Sequence, residues 1–394
     1  MNLKILITMS SIMPVWEPCA ALVKRLLAEG QKVGVLGPTG LYLGDHENLQ
    51  VFDSLSEAKD FEPNITLPLD PQAAAAIFKY WTGPKHHSLY KDELSLALNH
   101  LRSFGLSILA SAGLPTVQHM VLANSNDVLR FEARKKSEMY QDWQTFHDHP
   151  LSLEPVEMGS LAVAVEDGKR LSFCILVSDS KPLKEEGEDA MPAHLPPIAF
   201  SPLRGLLRRG GVKDFRGVVA QVVKSPAAMT LSKRVKAACQ SVGLKGVVFL
   251  DVLYPEGDSA GQAIRLYAQA PAGFLSLLLH SGILSGKFHE TLNSLLKDKR
   301  FPLTHEEGPH VSLVVGDPSC SSEARLDLPE VVSRPFGLPV NTYELGYLTL
   351  NGSMDIPEGI WEQHPTAEVK LDLQESLKEF SGLLKSLGLV EEVQ

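Results

Sequence analysis

The sequence has few cysteines, no long apolar run and no excess of basic residues. The four cysteines among 394 residues show no Cys-x-x-Cys spacing, which excludes a disulfide framework or zinc knuckle and favours a reducing compartment. The formal net charge of −10 argues against general nucleic-acid binding, because phosphate neutralisation needs a basic surface. No stretch reaches the roughly 18 apolar residues of a membrane span. We therefore expect a cytoplasmic protein with no nucleic-acid or membrane partner.

Glycine is missing where a dinucleotide-binding chain would need it. The opening run KILITM is followed by the turn TMSSIMP, which contains no glycine. A dinucleotide fingerprint requires glycines at that turn so that the backbone approaches the pyrophosphate. This absence excludes a Rossmann-type cofactor site. The apolar run is also short and soon interrupted by Pro14, so we expect a strand there and not a signal peptide.

The N-terminal pattern predicts a βαβ unit. KILITM has the continuous apolar character of a buried parallel strand, CAALVKRLLAEG has helical spacing and ends at Gly30, and KVGVLG follows as a second strand. Such a unit predicts an open parallel sheet of the α/β class. At 394 residues the chain is long enough for about two to four domains.

The middle of the chain alternates predicted helices and strands. Its sequence predicts a helix over LYKDELSLALNHLRSFGLSILASAG, and a second over DVLRFEARKKSEMYQDW with Asn124 or Asn126 as its cap. SLAVAVEDGKRLSFCILV predicts a hairpin that turns at Asp167 and Gly168. AAMTLSKRVKAACQSVG predicts an amphipathic helix that ends at Gly243. GVVFLDVLY and AIRLYAQAPAG predict a buried hairpin.

Asp251 is the one acid in the apolar strand GVVFLDVLY. Two interpretations stand for it. The first makes it a Mg²⁺ ligand, since Mg²⁺ in proteins is held by one or two carboxylates together with phosphates. The second makes it an outward-facing acid, or one paired to an arginine.

The order of these elements resembles that of phosphoribosylamine–glycine ligase, a family of the ATP-grasp superfamily. That family has a Gly-Pro before a helix, a Lys-x-Phe within it and an Ile-Pro-Thr after it. This chain has Gly83-Pro84 at the first place, Arg102 with Phe104 at the second, and Leu114-Pro115-Thr116 at the third. LEPVEMGSLAVAVEDGKRLSF is similar to the family's hinge, glycine and strand pair. LKGVVFLDVLY is similar to the penultimate strand of its core, and LSLLLHSGILSGKF with HVSLVVGD to the following helix and strand.

The resemblance implies an α/β fold with α+β character. We expect an N-terminal open parallel sheet over 1–88 and a degenerate ATP-grasp core over 89–290. Within that core a reduced small lobe would span about 130–198. A small β-rich domain with a terminal helix would fill 291–394.

The resemblance also implies ATP-dependent ligation of a small-molecule carboxylate to an amine, with ATP and Mg²⁺ as cofactors. Asp251 would then hold Mg²⁺. Nucleotide-binding residues carried over from the family are Arg102, Glu154 and Glu157. Substrate-binding positions are Gly83, Pro84, His86, Arg265 and Gln269.

Three departures from the family pattern support a second interpretation. The small-lobe lysine and Gly-Lys-Gly loop do not fit between Trp143 and Glu154, and the N-terminal glycine cluster is missing. The last core strand should read Glu-x-Asn-x-Arg, and IRLYAQAPAG offers Arg265 and Gln269. A non-catalytic binding or assembly module is therefore the alternative function. Its candidate surface for a phosphate or an acidic partner is the basic cluster of Arg204, Arg208, Arg209 and Lys213, for which a solvated helix end is the other interpretation.

Overall fold

A computed structural model describes about half of the chain in segments distributed along its length. These are residues 3–9, 22–23, 25–37, 46–69, 73, 87–88, 93–100, 102–117, 119–122, 137–140, 160–164, 168–177, 196–207, 213–256, 260–268, 288–293, 310–316, 346–350 and 378–390. No helix within these segments is both long and apolar enough to cross a bilayer.

The N-terminal part forms a five-stranded parallel sheet, as the βαβ pattern predicts. Its strands are β1 (Lys4–Thr8), β2 (Lys32–Leu36), β3 (Leu49–Phe52), β4 (Ile65–Pro68) and β5 (His87–Ser88), in the spatial order β3-β2-β1-β4-β5. Every neighbouring pair in the sheet is parallel. β1 and β4 are apolar runs buried almost along their whole length, as expected for strands covered on both faces.

The first connection has the predicted helix end. Residues 22–23 and 25–28 are helical, and Gly30 takes a φ of 73° immediately afterwards. The buried Gln31 side chain then accepts a hydrogen bond from the Leu3 amide at 2.8 Å and donates one to the Glu29 carbonyl at 2.8 Å. Gln31 therefore fixes the start of β1 to the end of this helix. A short helix α1 (Leu55–Ala58) lies between β3 and β4.

A second, three-stranded sheet falls largely within the range of the predicted small lobe. It consists of β6 (His119–Leu122), β7 (Ser137–Tyr140) and β8 (Ser160–Ala164), in the order β6-β8-β7 with antiparallel pairs. β7 lies inside the sequence for which a continuous helix was predicted, and that prediction is wrong over these four residues.

The third sheet has seven strands. Besides β9 (Gly168–Val177), β10 (Ile198–Leu207) and β11 (Lys213–Val222), it contains β12 (Gly246–Pro255), β13 (Gln262–Tyr267), β14 (His310–Gly316) and β15 (Gly346–Leu350). Their order is β13-β12-β9-β10-β11-β14-β15, and all described pairs are antiparallel.

The predicted hairpin at Asp167 and Gly168 is wrong. β8 is paired on both sides, with β6 and with β7, while β9 pairs with β10 and β12 in the seven-stranded sheet. The Asp-Gly signal is a local turn preference, whereas the choice of partner depends on strands far away in the sequence. The two strands that flank it consequently belong to different sheets.

Helices cover one face of the seven-stranded sheet. α2 (Glu93–His100), α3 (Arg102–Ser111) and α4 (Pro226–Ser241) contribute Leu98, Leu109 and Val235 to the same core cluster as Phe173 and Leu250 of the sheet. Each fully buried Leu or Phe of this kind contributes about 1.5–3 kcal/mol relative to an exposed one. These contacts place the helices on one face of the sheet. The side chains of β9, β12 and β13 that alternate with Phe173 and Leu250 therefore lie on the other face.

α4 begins and ends where its sequence predicts. Ser225 caps it by accepting from the Ala228 amide at 3.3 Å, and Pro226 occupies its first turn. Gly243 follows with a φ of 83°, which favours glycine, and Leu244 donates back to the Cys239 carbonyl at 3.0 Å.

The C-terminal stretch contributes to the same sheet and core. β14 pairs with β11, and the side chains of Phe380, Leu383 and Leu384 from the helical residues 378–386 join the cluster beneath the sheet. One sheet therefore contains strands from both sides of the domain boundary predicted at residue 290. The division of the chain into three domains otherwise stays a prediction. A further short helix, α5 (Phe288–Asn293), precedes β14.

Candidate functional site

Three polar side chains form a row across the strands β9, β12 and β13. Asp251 lies directly opposite Ser172 on one side and Arg265 on the other. Residues in direct cross-strand register project from the same face of a sheet. All three are half-buried, in contrast to Phe173, Leu250 and Leu266, which form the corresponding apolar row on the helix-covered face.

Asp251 is held by two hydroxyl groups. Ser172 Oγ donates to its Oδ1 at 2.6 Å and Tyr267 Oη donates to the same oxygen at 3.0 Å. The donors come from β9 and β13, so this carboxylate joins three strands. The acid in the apolar strand thereby has a structural role. Asp251 is half-buried on the face of the sheet away from the helices, as the outward-facing interpretation expects.

A second row of buried side chains adjoins the polar one. Cys174, Phe249 and Tyr267 are in cross-strand register and all are buried. The Phe249 and Tyr267 rings stack at 5.5 Å with an interplanar angle of 23°, and Phe200 meets Phe249 edge-on at 6.1 Å. Burial, and secondly the Asp251 carboxylate, hold the pKa of Tyr267 well above its ordinary value. Tyr267 therefore stays protonated and remains a donor to Asp251.

Arg265 lies over the ring of Tyr267. Its guanidinium carbon is 4.5 Å from the ring centroid, which is a cation–π contact. Across the described segments no Asp or Glu oxygen comes within 4.0 Å of this guanidinium. Arg265 is thus oriented by an aromatic ring and not by an ion pair.

Arg102, predicted to contact the nucleotide, has at least one structural contact. β13 contains a bulge: Asp251 pairs with Arg265 and Val252 pairs with Ala263, so that Ile264 is the extra residue. An extra residue leaves the ladder, and its buried carbonyl needs another donor. Arg102 Nε supplies it at 3.1 Å, from a side chain that is 9% exposed.

The segment after α3 pairs with the outer edge of β13 at Ala263. The predicted Gly-Leu-Pro-Thr turn leads to Thr116, which bridges in parallel to Ala263. The Ala263 amide donates to the Pro115 carbonyl at 2.9 Å, and the Val117 amide donates to the Ala263 carbonyl at 3.0 Å.

The structure brings two of the predicted site residues together and leaves most of the others undescribed. Asp251 and Arg265 are neighbours, whereas Arg102 acts on the backbone of β13 at Ile264. The predicted positions outside the described residues are Gly83, Pro84, His86, Glu154, Glu157 and Gln269. Their roles stay predictions.

The basic cluster belongs to two strands. Arg204 lies in β10 and Lys213 in β11. The two strands pair continuously, from Ile198 opposite Val222 to Leu207 opposite Lys213. For Arg204 and Lys213 the interpretation as a helix end is therefore wrong. Arg208 and Arg209 lie outside the described residues.

Two residues of the site were missed by the sequence reasoning. Ser172 stands in LSFCILV, which reads as core, and only the register between β9 and β12 brings it to Asp251. Tyr267 was detectable in principle, because residues i and i+2 of a strand share a face and Tyr267 follows Arg265 at that spacing.

The described side chains around Asp251 do not fit a Mg²⁺ site. Mg²⁺ requires oxygen ligands in near-octahedral geometry. Here one oxygen of a single carboxylate already accepts two hydroxyl protons, and the residue directly across the strand pair is a cation. Within the described segments, no three His, Cys, Asp or Glu side chains come close enough together to hold a metal ion.

Comparison with solved structures places this geometry in a known fold. The chain superposes on an N5-carboxyaminoimidazole ribonucleotide synthetase in complex with ADP with a TM-score of 0.54, at 12% identity over 97% of both chains. The carboxyaminoimidazole ribonucleotide synthase of Aspergillus clavatus, complexed with ATP, gives 0.53 at 11% identity over 95% of this chain and 99% of that one. This chain has the ATP-grasp fold.

The likeness of this ATP-grasp-fold protein to its neighbours lies in structure and not in sequence. Phosphoribosylglycinamide synthetase of Anaerococcus prevotii matches with a TM-score of 0.47 at 12% identity, over 80% of this chain and 81% of that one. No family model and no curated protein matches the sequence. The parallel N-terminal sheet, predicted from sequence, is confirmed, and the hairpin of β12 and β13 is present as predicted.

Proposed function

We propose that this protein is an ATP-grasp-fold binding module, descended from ATP-dependent ligases, in which Mg²⁺-dependent carboxylate–amine ligation has been lost. The observation that carries this proposal is the cross-strand pair of Asp251 and Arg265. Where the ligase resemblance calls for acids on both of the last core strands, a guanidinium stands on the second one.

This pair has an electrostatic consequence. A divalent cation ligated by Asp251 would be repelled by the guanidinium of its cross-strand neighbour. The site is half-buried, so solvent screening weakens this repulsion. The remaining penalty still opposes formation of the acyl phosphate, which requires neutralisation of the γ-phosphate charge.

The proposed module keeps a nucleotide as its candidate ligand, since the structural neighbours named above were solved with ADP and ATP. Glu154, Glu157 and Arg102 are its proposed nucleotide contacts. The proposed location is the cytoplasm, where the buried free thiols of Cys174 and Cys239 stay reduced.

An active ligase is the competing function, favoured by the fold and by the ATP-bound neighbour. Its substrates would be a small amine and a small carboxylate. The test measures ADP formation from Mg²⁺–ATP with panels of amino acids and carboxylates, using the wild type and Asp251→Asn. We expect equal, background-level ADP formation from both. Mg²⁺-dependent ADP formation that disappears in Asp251→Asn contradicts the loss of ligation and supports the ligase.

The partner of the module is proposed to be acidic and to bind the basic strands β10 and β11. Arg204 lies directly opposite Arg216, and Lys213 lies directly opposite Leu207 in the last pair of these strands. The double variant Arg204→Glu and Lys213→Glu should abolish binding of an acidic partner and leave the melting temperature unchanged. Retained binding in a folded double variant contradicts this assignment.

A further inference from the structure

Arg265 carries the one observation about the site that neither the fold nor the ligase resemblance accounts for. It is a half-buried cation, stacked on Tyr267 at 4.5 Å, with no carboxylate within 4.0 Å in the described segments. The aromatic ring occupies one face of its planar guanidinium. The N–H groups along its edge remain available to a planar or tetrahedral oxyanion.

Asp251 is fixed in place next to this cation. Both of its hydrogen bonds, from Ser172 and Tyr267, reach Oδ1, and within the described part of the chain Oδ2 accepts none. The two hydroxyl groups satisfy Oδ1 without a metal. The pair carries no net charge, whereas a pair of acids on the same two strands would need a divalent cation.

We infer that Arg265 replaces a divalent cation at this site, and that the site takes a nucleoside diphosphate or triphosphate in its metal-free form. This inference rests on the proposed function, because it assumes that the nucleotide is a ligand and not a substrate. The guanidinium meets the phosphate directly. Asp251 holds Tyr267, and Tyr267 in turn supports Arg265; the carboxylate itself repels the phosphate.

The inference predicts an unusual response to metal. ADP binding, measured by isothermal titration calorimetry, should be at least as tight in EDTA as in excess Mg²⁺, since Mg²⁺ partly neutralises the phosphate that the guanidinium recognises. Arg265→Ala should weaken ADP binding about tenfold or more, as expected for a lost charge-assisted contact. Lys233→Ala removes an exposed cation from α4, on the other side of the sheet, and should leave the affinity unchanged.

The sign of the effect at Asp251 separates the two possible roles of this residue. If it repels the phosphate, Asp251→Asn should tighten ADP binding in EDTA, by about threefold to tenfold. If it ligates Mg²⁺, the same substitution should weaken Mg²⁺–ADP binding. The amide of asparagine still accepts from Ser172 and Tyr267, so that the strands remain joined.

A gain-of-function variant completes the test. Arg265→Glu places a second carboxylate directly opposite Asp251 and should create Mn²⁺ affinity that the wild type lacks, detectable by calorimetry with the metal alone. Arg265→Lys keeps the charge and should retain metal-free ADP binding. It provides the comparison with the wild type if Arg265→Ala fails to fold. ADP binding that requires Mg²⁺, or no ADP binding in either buffer, overturns the inference. Metal-dependent turnover alongside metal-free ADP binding overturns the proposed function alone.

Discussion

Arg102 donates from Nε to the carbonyl of Ile264 at 3.1 Å, across 162 positions of sequence. Ile264 is the extra residue of the bulge in β13, and its side chain is buried with Leu106 and Leu253. This hydrogen bond therefore fixes the start of α3 to the one point of β13 where the ladder is interrupted. The bulge in turn sets the register that places Arg265 opposite Asp251.

Arg102→Ala should lower the free energy of unfolding in the absence of any nucleotide. The buried Ile264 carbonyl loses its donor, and an unsatisfied buried group of this kind costs about 1–3 kcal/mol. Urea unfolding measures the loss. Lys233→Ala, the removal of an exposed cation from α4, serves as the control and should change stability by less than about 0.5 kcal/mol. Equal stability of both variants contradicts a structural role for Arg102.

Gly105→Ala in α3 should destabilise the protein although alanine favours helices. An ideal Cβ at Gly105 would lie 2.7 Å from the backbone oxygen of Leu266 and 3.2 Å from its Cβ. The helix must move away from β13, at a cost of about 1–3 kcal/mol. The matched substitution is Gly382→Ala in the helical residues 378–386, where nothing lies within 4 Å. It should raise stability by about 0.5–1 kcal/mol. The two changes in urea midpoint should thus have opposite signs; a shared sign refutes the close approach.

Two serines of α4 should respond differently to alanine. Ser225 caps the helix through the Ala228 amide, and its replacement should cost about 1 kcal/mol. Ser232 Oγ is buried without a hydrogen-bond partner in the described structure, so that its removal should be neutral or stabilising, because it relieves an unsatisfied polar group. Thermal unfolding of both variants provides the comparison. A loss at Ser232 as large as that at Ser225 would mean that its hydroxyl has a partner.

Stability should fall in alkaline solution. Burial raises the pKa of Cys239 from 9.0 to about 12 and that of Tyr254 from 10.0 to about 12. Both groups lose their protons at a lower pH in the unfolded chain than in the folded protein. Their contribution to the free energy of unfolding is therefore fully present below pH 9 and is lost as the pH rises from 9 towards 12. Each group contributes a slope of up to about 1.4 kcal/mol per pH unit.

Cys239→Ala tests this dependence through the slope of stability against pH. The decline measured by urea unfolding between pH 8.5 and 10.5 should be shallower than in the wild type, whatever the absolute stability of the variant. Ser241→Ala, on the same helix and not titratable, should keep the wild-type slope. Parallel curves for all three proteins would exclude Cys239 as a source of the decline.

The sequence predicted those elements whose signals are local. The strand KILITM, the helix that ends at Gly30 and the helix that ends at Gly243 all appear as expected, because periodicity and left-handed glycines act over a few residues. The β12–β13 hairpin appears for the same reason. The pairing of β9 with β12 could not be predicted, since Ser172 and Asp251 are 79 residues apart and no local rule selects that partner.

The candidate site was predicted in part. Asp251 was singled out because an acid in an apolar strand is unusual. One interpretation paired it to an arginine, and its cross-strand neighbour is Arg265, although that guanidinium has no Asp or Glu oxygen within 4.0 Å in the described segments. The two hydroxyl groups that donate to its carboxylate, those of Ser172 and Tyr267, were missed because uncharged side chains do not stand out in an apolar strand. Arg102 was interpreted from its alignment with a family lysine, whereas a sheet bulge explains the Ile264 contact seen here.

The bridge between Thr116 and Ala263 has a consequence for the behaviour of the protein in solution. β13 stands at one end of the seven-stranded sheet, where exposed amides and carbonyls would offer a template to the strand of another molecule. The hydrogen bonds of Pro115 and Val117 occupy the amide and carbonyl of Ala263, and Arg102 occupies the carbonyl of Ile264. Another strand could pair with this part of β13 only if the connection after α3 first separated from it.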